Sequence, residues 1–98
     1  MKPLKIIFLV EAIIDLEEIW TYTLTTWSLE QADRYYHLIM KETEYLSSNP
    51  GSGKDFSEIR KGYRCTKVKS HLIFYRYSET EIEIVRILHE SMDIPNKF

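Results

Sequence analysis

A chain of 98 residues with 44% hydrophobic and 13% aromatic content reads as one folded domain over residues 1–98, near the small end of what builds its own core. Disorder is excluded by that content, and no apolar run approaches the roughly 20 residues a membrane span needs. Net charge is −2, too acidic for broad non-specific nucleic-acid binding, but it hides a split. Residues 11–48 carry eight acidic and two basic side chains, and residues 54–77 carry seven basic and two acidic. Two solvated faces account for this equally as well as a basic surface awaiting an acidic partner or a nucleic acid. Cys65 is the sole cysteine, so neither a disulfide nor a cysteine metal site forms within the chain; a reducing cytoplasm fits, with the thiol buried and inert.

The start, "MKPLKIIFLVEAIIDLEE", has a basic tip and a short apolar stretch. Acidic residues follow at once without a small-residue cleavage site, so a buried strand over residues 4–9 is expected rather than a signal peptide. A helix comes next. Ala12, Leu16, Ile19, Thr23 and Trp27 recur at spacings of three and four, with Ile13, Trp20 and Leu24 widening the stripe. Ser28 and Gln31 form a capping box for a second helix, whose apolar face is Ala32, Tyr35, Tyr36, Ile39, Met40, Thr43 and Leu46. "SSNPGSG", residues 47–53, stops it. The short link predicts an antiparallel αα-hairpin.

Beyond residue 58 the apolar period changes to two, predicting strands at about 63–69, 71–77 and 82–88. "SETE" makes a tight turn, and Gly62 marks a bulge or turn before the first of the three. The tail "IPNKF" is too short and Pro-broken for a helix. The order β-α-α-β-β-β describes an α+β fold: an antiparallel meander, joined by the first strand, with the helix pair packed on the sheet.

Four constellations carry possible chemistry. His37, His71 and His89 lack any metal-ligand spacing; His37 reads as a surface helix residue and His71 as a hydrogen-bonded structural one. "GSGK" at 51–54 lacks the spacing of a phosphate loop and reads as a plain turn. Arg64, Arg76 and Arg86 fall one on each meander strand. Alternation sets Arg76 with Leu72 and Phe74, and Arg86 with Ile82 and Ile84, so each needs a carboxylate or carbonyl partner, because an unpaired buried charge is very costly. Arg–Glu pairs holding the sheet are one reading of these arginines; an electropositive strip for phosphate is the other. Finally, "RILHESMD" places His89 at a strand end, where it could act as a general acid or base. Glu58, Arg64 and His89 would be the nominees for cutting RNA, although nothing in the sequence makes them converge.

Taken together, "AIIDLEEIWTYTLTTWSLEQADRYY", "LSSNPGSG", "IRKGYRCTKVKSHLIFYR" and "IEIVRILHESMD" resemble, in order and spacing, the ParE toxins of the RelE/ParE superfamily. The resemblance runs from about residue 4 to 93. Asp15-Leu16, Ile19, Ala32, Tyr35, Pro50, Gly53, Gly62, Arg64, His71, Tyr75, Arg86, His89 and Met92-Asp93 match that family's pattern. The resemblance implies a bacterial type II toxin that poisons DNA gyrase, uses no cofactor or metal, is neutralised by a ParD-like antitoxin, and meets operator DNA only through that antitoxin. Leu9 and Val10 depart from it, standing where the family often has a Ser or Thr helix cap.

The same superfamily contains ribosome-dependent messenger-RNA endonucleases. One branch is similar at Glu58, His71 and His89, but has a catalytic arginine just after the first histidine and an aromatic just after the second. Here those positions are Leu72 and Glu90. Another branch uses a C-terminal tyrosine, and no tyrosine follows Tyr77. A non-catalytic gyrase inhibitor is therefore expected; the alternatives are a ribosome-dependent endonuclease and an inactive homologue serving as antitoxin partner and co-repressor. The aromatic surface of Trp20, Tyr22, Trp27, Tyr35 and Tyr36 exceeds what a two-helix layer can hide, and with Arg60, Lys61, Arg64 and Lys67 it forms the expected antitoxin surface. Arg76, Arg86, His89 and Met92 are the expected target contacts.

Overall fold

A computed structural model describes residues 2–98. In chain order it contains β1 (Lys5–Phe8), α1 (Val10–Thr26), α2 (Leu29–Ser48), a 3₁₀ turn (Pro50–Ser52), β2 (Lys54–Asp55), β3 (Arg64–Val68), β4 (His71–Tyr77), β5 (Glu81–His89) and a second 3₁₀ turn (Ile94–Lys97). The sheet order is β1-β5-β4-β3-β2. The meander is antiparallel as expected, and β1 joins it parallel to β5, with Lys5 opposite Glu81 and Phe8 opposite Ile84. The "GSGK" segment is more than a turn, since Lys54 and Asp55 add a short edge strand to β3. The tail also has more structure than its proline suggested: one 3₁₀ turn that lays Phe98 against Phe74 and Tyr63.

The helix starts follow from local chemistry. Leu9 is the N-cap of α1 and offers no side-chain cap; its backbone N–H instead bonds the Ile84 carbonyl, tying the helix entrance to the sheet. Ser28 Oγ accepts the Gln31 N–H and starts α2. Ala12, Ile39 and Leu46 from the helices meet Ile73, Tyr75, Ile82, Ile84 and Ile87 from the sheet in the main core. Two residues expected in the α1 stripe, Ile13 and Trp27, are exposed, as is Tyr36 on α2. Asp15 is buried in their place, at 7% exposure, because its side chain is paired across the fold.

A bulge accounts for a second correction. Phe74 pairs with Arg86 and Tyr75 with Ile84, so Val85 is an extra residue in β5. Alternation is interrupted there. Ile87, opposite Ile73, takes the helix-facing row, and Arg86 joins the row of Phe74 rather than that of Ile82 and Ile84. Cys65, Phe74 and Leu88, covered by Phe56, Leu72, Ile94 and Phe98, make a smaller core on the opposite face. Burial raises the Cys65 thiol to about 11, which keeps it protonated and inert. Arg76 is not in an apolar environment: it is exposed and pairs with Glu83 at 2.5 Å.

Tyr75 organises the turn after α2. Its hydroxyl donates to the Pro50 carbonyl at 2.8 Å and accepts the Gly53 N–H at 2.9 Å, while Arg64 donates from Nε to the Gly53 carbonyl and from Nη2 to that of Gly51. A Cβ at Gly53 would run into the Tyr75 ring and hydroxyl and come within 3.0 Å of the Cys65 carbonyl. Gly53→Ala should therefore cost about 2 kcal/mol from overpacking, read as a lowered urea midpoint at unchanged m-value. Gly51→Ala, whose Cβ would make only an ordinary 3.6 Å contact with Tyr77, should stay near wild type.

Candidate binding cleft

A cleft of about 700 Å³ lies between the helix pair and the sheet, where β4 begins and β5 ends. Ile19, Tyr22, Thr23 and Trp27 form one wall, Gln31 and Tyr35 line it from α2, and Lys69, Ser70, His71, Ile87, His89 and Met92 form the sheet side. The position follows from the sequence. A two-residue turn at Lys69-Ser70 brings His71 directly opposite His89, and Lys69 accepts a left-handed backbone, φ 55°, to make it. The bulge at Val85 points Ile87 inward. Trp27 is 73% and Tyr22 66% exposed, a large apolar area to leave open on a small protein.

Polar groups of the cleft are held by specific partners. Tyr35 Oη lies 3.0 Å from the Val68 carbonyl and 2.6 Å from His71 Nδ1, and burial raises its pKa. His71 is pushed down to about 4, first by burial and then by the nearby His89, so it is neutral at pH 7. The His71 and His89 rings stand edge to face with centroids 5.1 Å apart. Ser91 fixes His89 through its N–H at 3.1 Å and its hydroxyl at 2.7 Å, both to Nδ1.

Behind this wall Asp15 binds Arg86 through two bonds of 2.8 Å, Nε to Oδ2 and Nη2 to Oδ1. Asp15 Oδ2 also accepts the Ile87 N–H at 3.0 Å. Hydrogen bonding to Asp15 raises the Arg86 pKa above its already high value, and Arg86 Nη1 reaches the Lys97 carbonyl at 3.2 Å. The carboxylate partner that Arg86 needed is thus on α1, not in the sheet. Sequence reasoning left Asp15 out of the site. The signal was there: it sits three residues beyond Ala12 and one before Leu16, inside the apolar stripe.

The candidate residues divide. Trp27, Tyr22 and Tyr35 from the antitoxin set line the cleft together with His89 and Met92 from the target set. Trp20 is half-buried on the hairpin and donates to Asp33 at 3.3 Å, and Tyr36 is exposed on α2 outside the cleft lining. Arg60 and Lys61 are exposed in the turn before β3, and Lys67 pairs with Glu90 at 3.2 Å. Arg86 is committed to Asp15 and Arg76 to Glu83. The nominated cutting residues do not converge. Arg64 pairs with Tyr75 and His89 with His71, which sets them roughly 13 Å apart along β4 at about 3.3 Å per residue. Glu58 lies in the turn beyond Phe56, whose N–H bonds the Tyr63 carbonyl, and is not in the cleft lining that holds His89. Among the described residues no group of three His, Cys, Asp or Glu could hold a metal ion, and no helix is long and apolar enough to cross a membrane.

Two outcomes follow. Arg86→Ala leaves Asp15 buried without its cation and should destabilise the fold by about 3 kcal/mol, measured by urea unfolding. His71 gives a pH signature. Its folded pKa, about 4, lies below the 6.5 of a free histidine, so the unfolded chain takes up the proton first as pH falls. The contribution of neutral His71 is complete above about pH 6.5 and is lost progressively towards pH 4. Urea midpoints between pH 7 and 4 should fall less steeply in His71→Phe than in wild type.

Comparison with known proteins agrees with this architecture. Residues 6–94 match the model of a family described as the ParE toxin of the type II toxin–antitoxin system parDE. The chain is 38% identical over 93 residues to Toxin ParE1 of Caulobacter vibrioides, covering 95% of this chain and 94% of that one. It is 40% identical over 80 residues to Toxin ParE1 of Mycobacterium tuberculosis, covering 81% and 82%. Among solved structures, a chain from the chromosomal ParDE toxin–antitoxin system of P. aeruginosa superposes with a TM-score of 0.76 at 21% identity, over 88% of this chain and 95% of that one; it shares the fold. A two-helix layer on a five-stranded mixed sheet, with a family match over nearly its whole length, makes this chain a member of the ParE toxin family.

Proposed function

We propose that the protein acts in the cytoplasm as a non-catalytic inhibitor of DNA gyrase, and that a ParD-like antitoxin neutralises it by occupying the cleft. The observation that carries the reading is the open aromatic lining of that cleft on a ParE-family chain. Exposed Trp27 and Tyr22 supply large contact area at low entropy cost, the usual make-up of an interaction hot spot. The non-catalytic part is supported by the dispersal of Glu58, Arg64 and His89 and by the internal commitments of Arg64 and Arg86. RNA cleavage requires charge stabilisation and proton transfer at one phosphate, and a lost electrostatic donor alone typically costs on the order of a hundredfold in rate.

The antitoxin surface extends from Trp20, Trp27, Tyr35 and Tyr36 to Arg60, Lys61, Arg64 and Lys67, where an acidic stretch of antitoxin matches the basic charge. His89 and Met92, with Arg76 and Arg86, serve the target. Operator DNA is reached through the antitoxin.

Purified protein free of antitoxin should inhibit gyrase supercoiling while leaving ribosome-bound message intact. Site-specific cleavage of message in a translating extract, lost in a folded His89→Ala variant, would replace this reading with an endonuclease; inactivity in both assays would leave only an antitoxin partner. For the antitoxin surface, Trp27→Ala should weaken the complex by about tenfold or more. The double reversal Arg60→Glu with Lys61→Glu should chiefly slow association. Calorimetry and stopped-flow binding with the cognate antitoxin check both.

A further inference from the structure

Each histidine of the cleft has one ring nitrogen committed to the protein, and the commitments differ in sign. His89 Nδ1 accepts from the Ser91 N–H, a group that can only donate, so the lone pair is on Nδ1 and the ring proton on Nε2. His71 is the reverse. We assign the Tyr35 hydroxyl hydrogen to the Val68 carbonyl, which can only accept, and with it His71 Nδ1 as the donor in the 2.6 Å contact with Tyr35 Oη. Its lone pair is then on Nε2. Two neighbouring imidazoles in one cleft thus offer one acceptor, His71 Nε2, and one donor, the Nε2–H of His89. The low pKa of His71 keeps its acceptor unprotonated at neutral pH.

This pair of opposite polarity sits among Ile19, Tyr22, Trp27 and Ile87. A carboxylate entering the cleft would meet the His71 lone pair and the Glu18 carboxylate on the α1 wall; Asp15 is already paired with Arg86, and Lys69 on the sheet side supplies the opposing positive charge. An ammonium group would meet the His89 N–H and could satisfy only one of the two imidazoles. A neutral amide satisfies both, donating its N–H to His71 and accepting from His89 at its carbonyl. Leaving either ring nitrogen desolvated and unpaired under a bound segment would cost binding.

We propose that His71 and His89 are specificity-determining residues of the cleft, selecting an antitoxin segment that presents the neutral amide of an Asn or Gln side chain beside an apolar side chain. This rests on the reading of the cleft as the antitoxin groove, but its test uses small probes that do not depend on that reading. Protein labelled with ¹⁵N is titrated at pH 7 with 4-methylpentanamide, with 4-methylpentanoate and with isopentylamine, which share one apolar chain and differ only in the polar group, and the imidazole and Trp27 indole resonances are followed. The expected result is that the amide shifts both histidine Nε2 resonances and binds at least fivefold more tightly than the acid or the amine.

Equal binding of the acid or the amine overturns the proposal. So does an amide that moves only the Trp27 indole, or no binding by any probe. In the variant His71→Phe with His89→Phe, the cleft keeps its apolar area and the preference should collapse below twofold. If that pair does not fold, the single variant His89→Phe should reduce the preference and leave the His71 signal the only imidazole shifted. Calorimetry with the cognate antitoxin separates the two readings: an antitoxin indifferent to Trp27→Ala removes the groove assignment, whereas lost amide selectivity with intact Trp27 dependence removes only the role of the histidines.

Discussion

The buried pairing of Asp15 with Arg86 joins parts of the chain that would otherwise lack a common anchor. β1 pairs with β5 only as far as Ile84, and beyond that point the strand's outer edge has no neighbouring strand to satisfy it. Asp15 replaces the missing strand. One of its oxygens takes the Ile87 N–H while both hold the Arg86 guanidinium, so a helix side chain closes a sheet edge. The remaining Arg86 donor fixes the Lys97 carbonyl, and with it the tail that covers the second core. Helix, strand and C-terminal turn are aligned by a single ion pair. Two charges removed from water stabilise little in net terms when paired, and cost heavily when separated; the pair's contribution is mainly to specify one arrangement.

The bulge at Val85 converts that arrangement into a cleft. A regular strand would have kept Arg86 in the row of Ile82 and Ile84, setting a charge into the main core and turning Ile87 away from the helices. One extra residue reverses this. Ile87 enters the cleft wall, Arg86 reaches the strand edge where Asp15 waits, and His89 comes opposite His71. The basic segment is shaped by similar internal obligations. Arg64 holds the turn after α2 and Lys67 meets Glu90, which leaves Lys54, Arg60, Lys61 and Lys69 as its exposed cations outside any salt bridge among the described residues.

Much of this was legible in the sequence because it is periodic. The 3.6 pattern gave both helices, the Ser28 cap set the start of α2, and the change to a period of two located β3, β4 and β5 close to their ends. Gly62 was rightly placed at a turn, with φ 84°. What escaped was non-local or aperiodic. The position of β1 beside β5 depends on a pairing across most of the chain, and the bulge is invisible to an alternation rule. Alternation asks for a carboxylate or carbonyl partner for Arg86, and the structure supplies both, Asp15 and the Lys97 carbonyl. Arg–Glu pairing in the sheet does not locate them, whereas the apolar spacing around Asp15 puts a carboxylate on the buried face. The cleft itself was only partly visible. Its aromatic wall could be named, but its floor depends on a register that brings His71 and His89 together.

The pairing of Lys5 with Glu81 has a consequence for how the chain comes into being. Synthesis runs from β1 to β5, so the first strand and both helices are made well before the strand on which they close. Until then α1 holds a carboxylate with no cation, and the helix pair has no sheet to cover its inner face. Such distant closure raises contact order and slows folding. The nascent chain therefore passes through an interval in which the cleft does not yet exist, since its floor is drawn from residues translated after both helices. Any partner that reads the cleft meets only molecules whose β5 has already emerged, and the order of translation sets the earliest moment at which the toxin can be recognised.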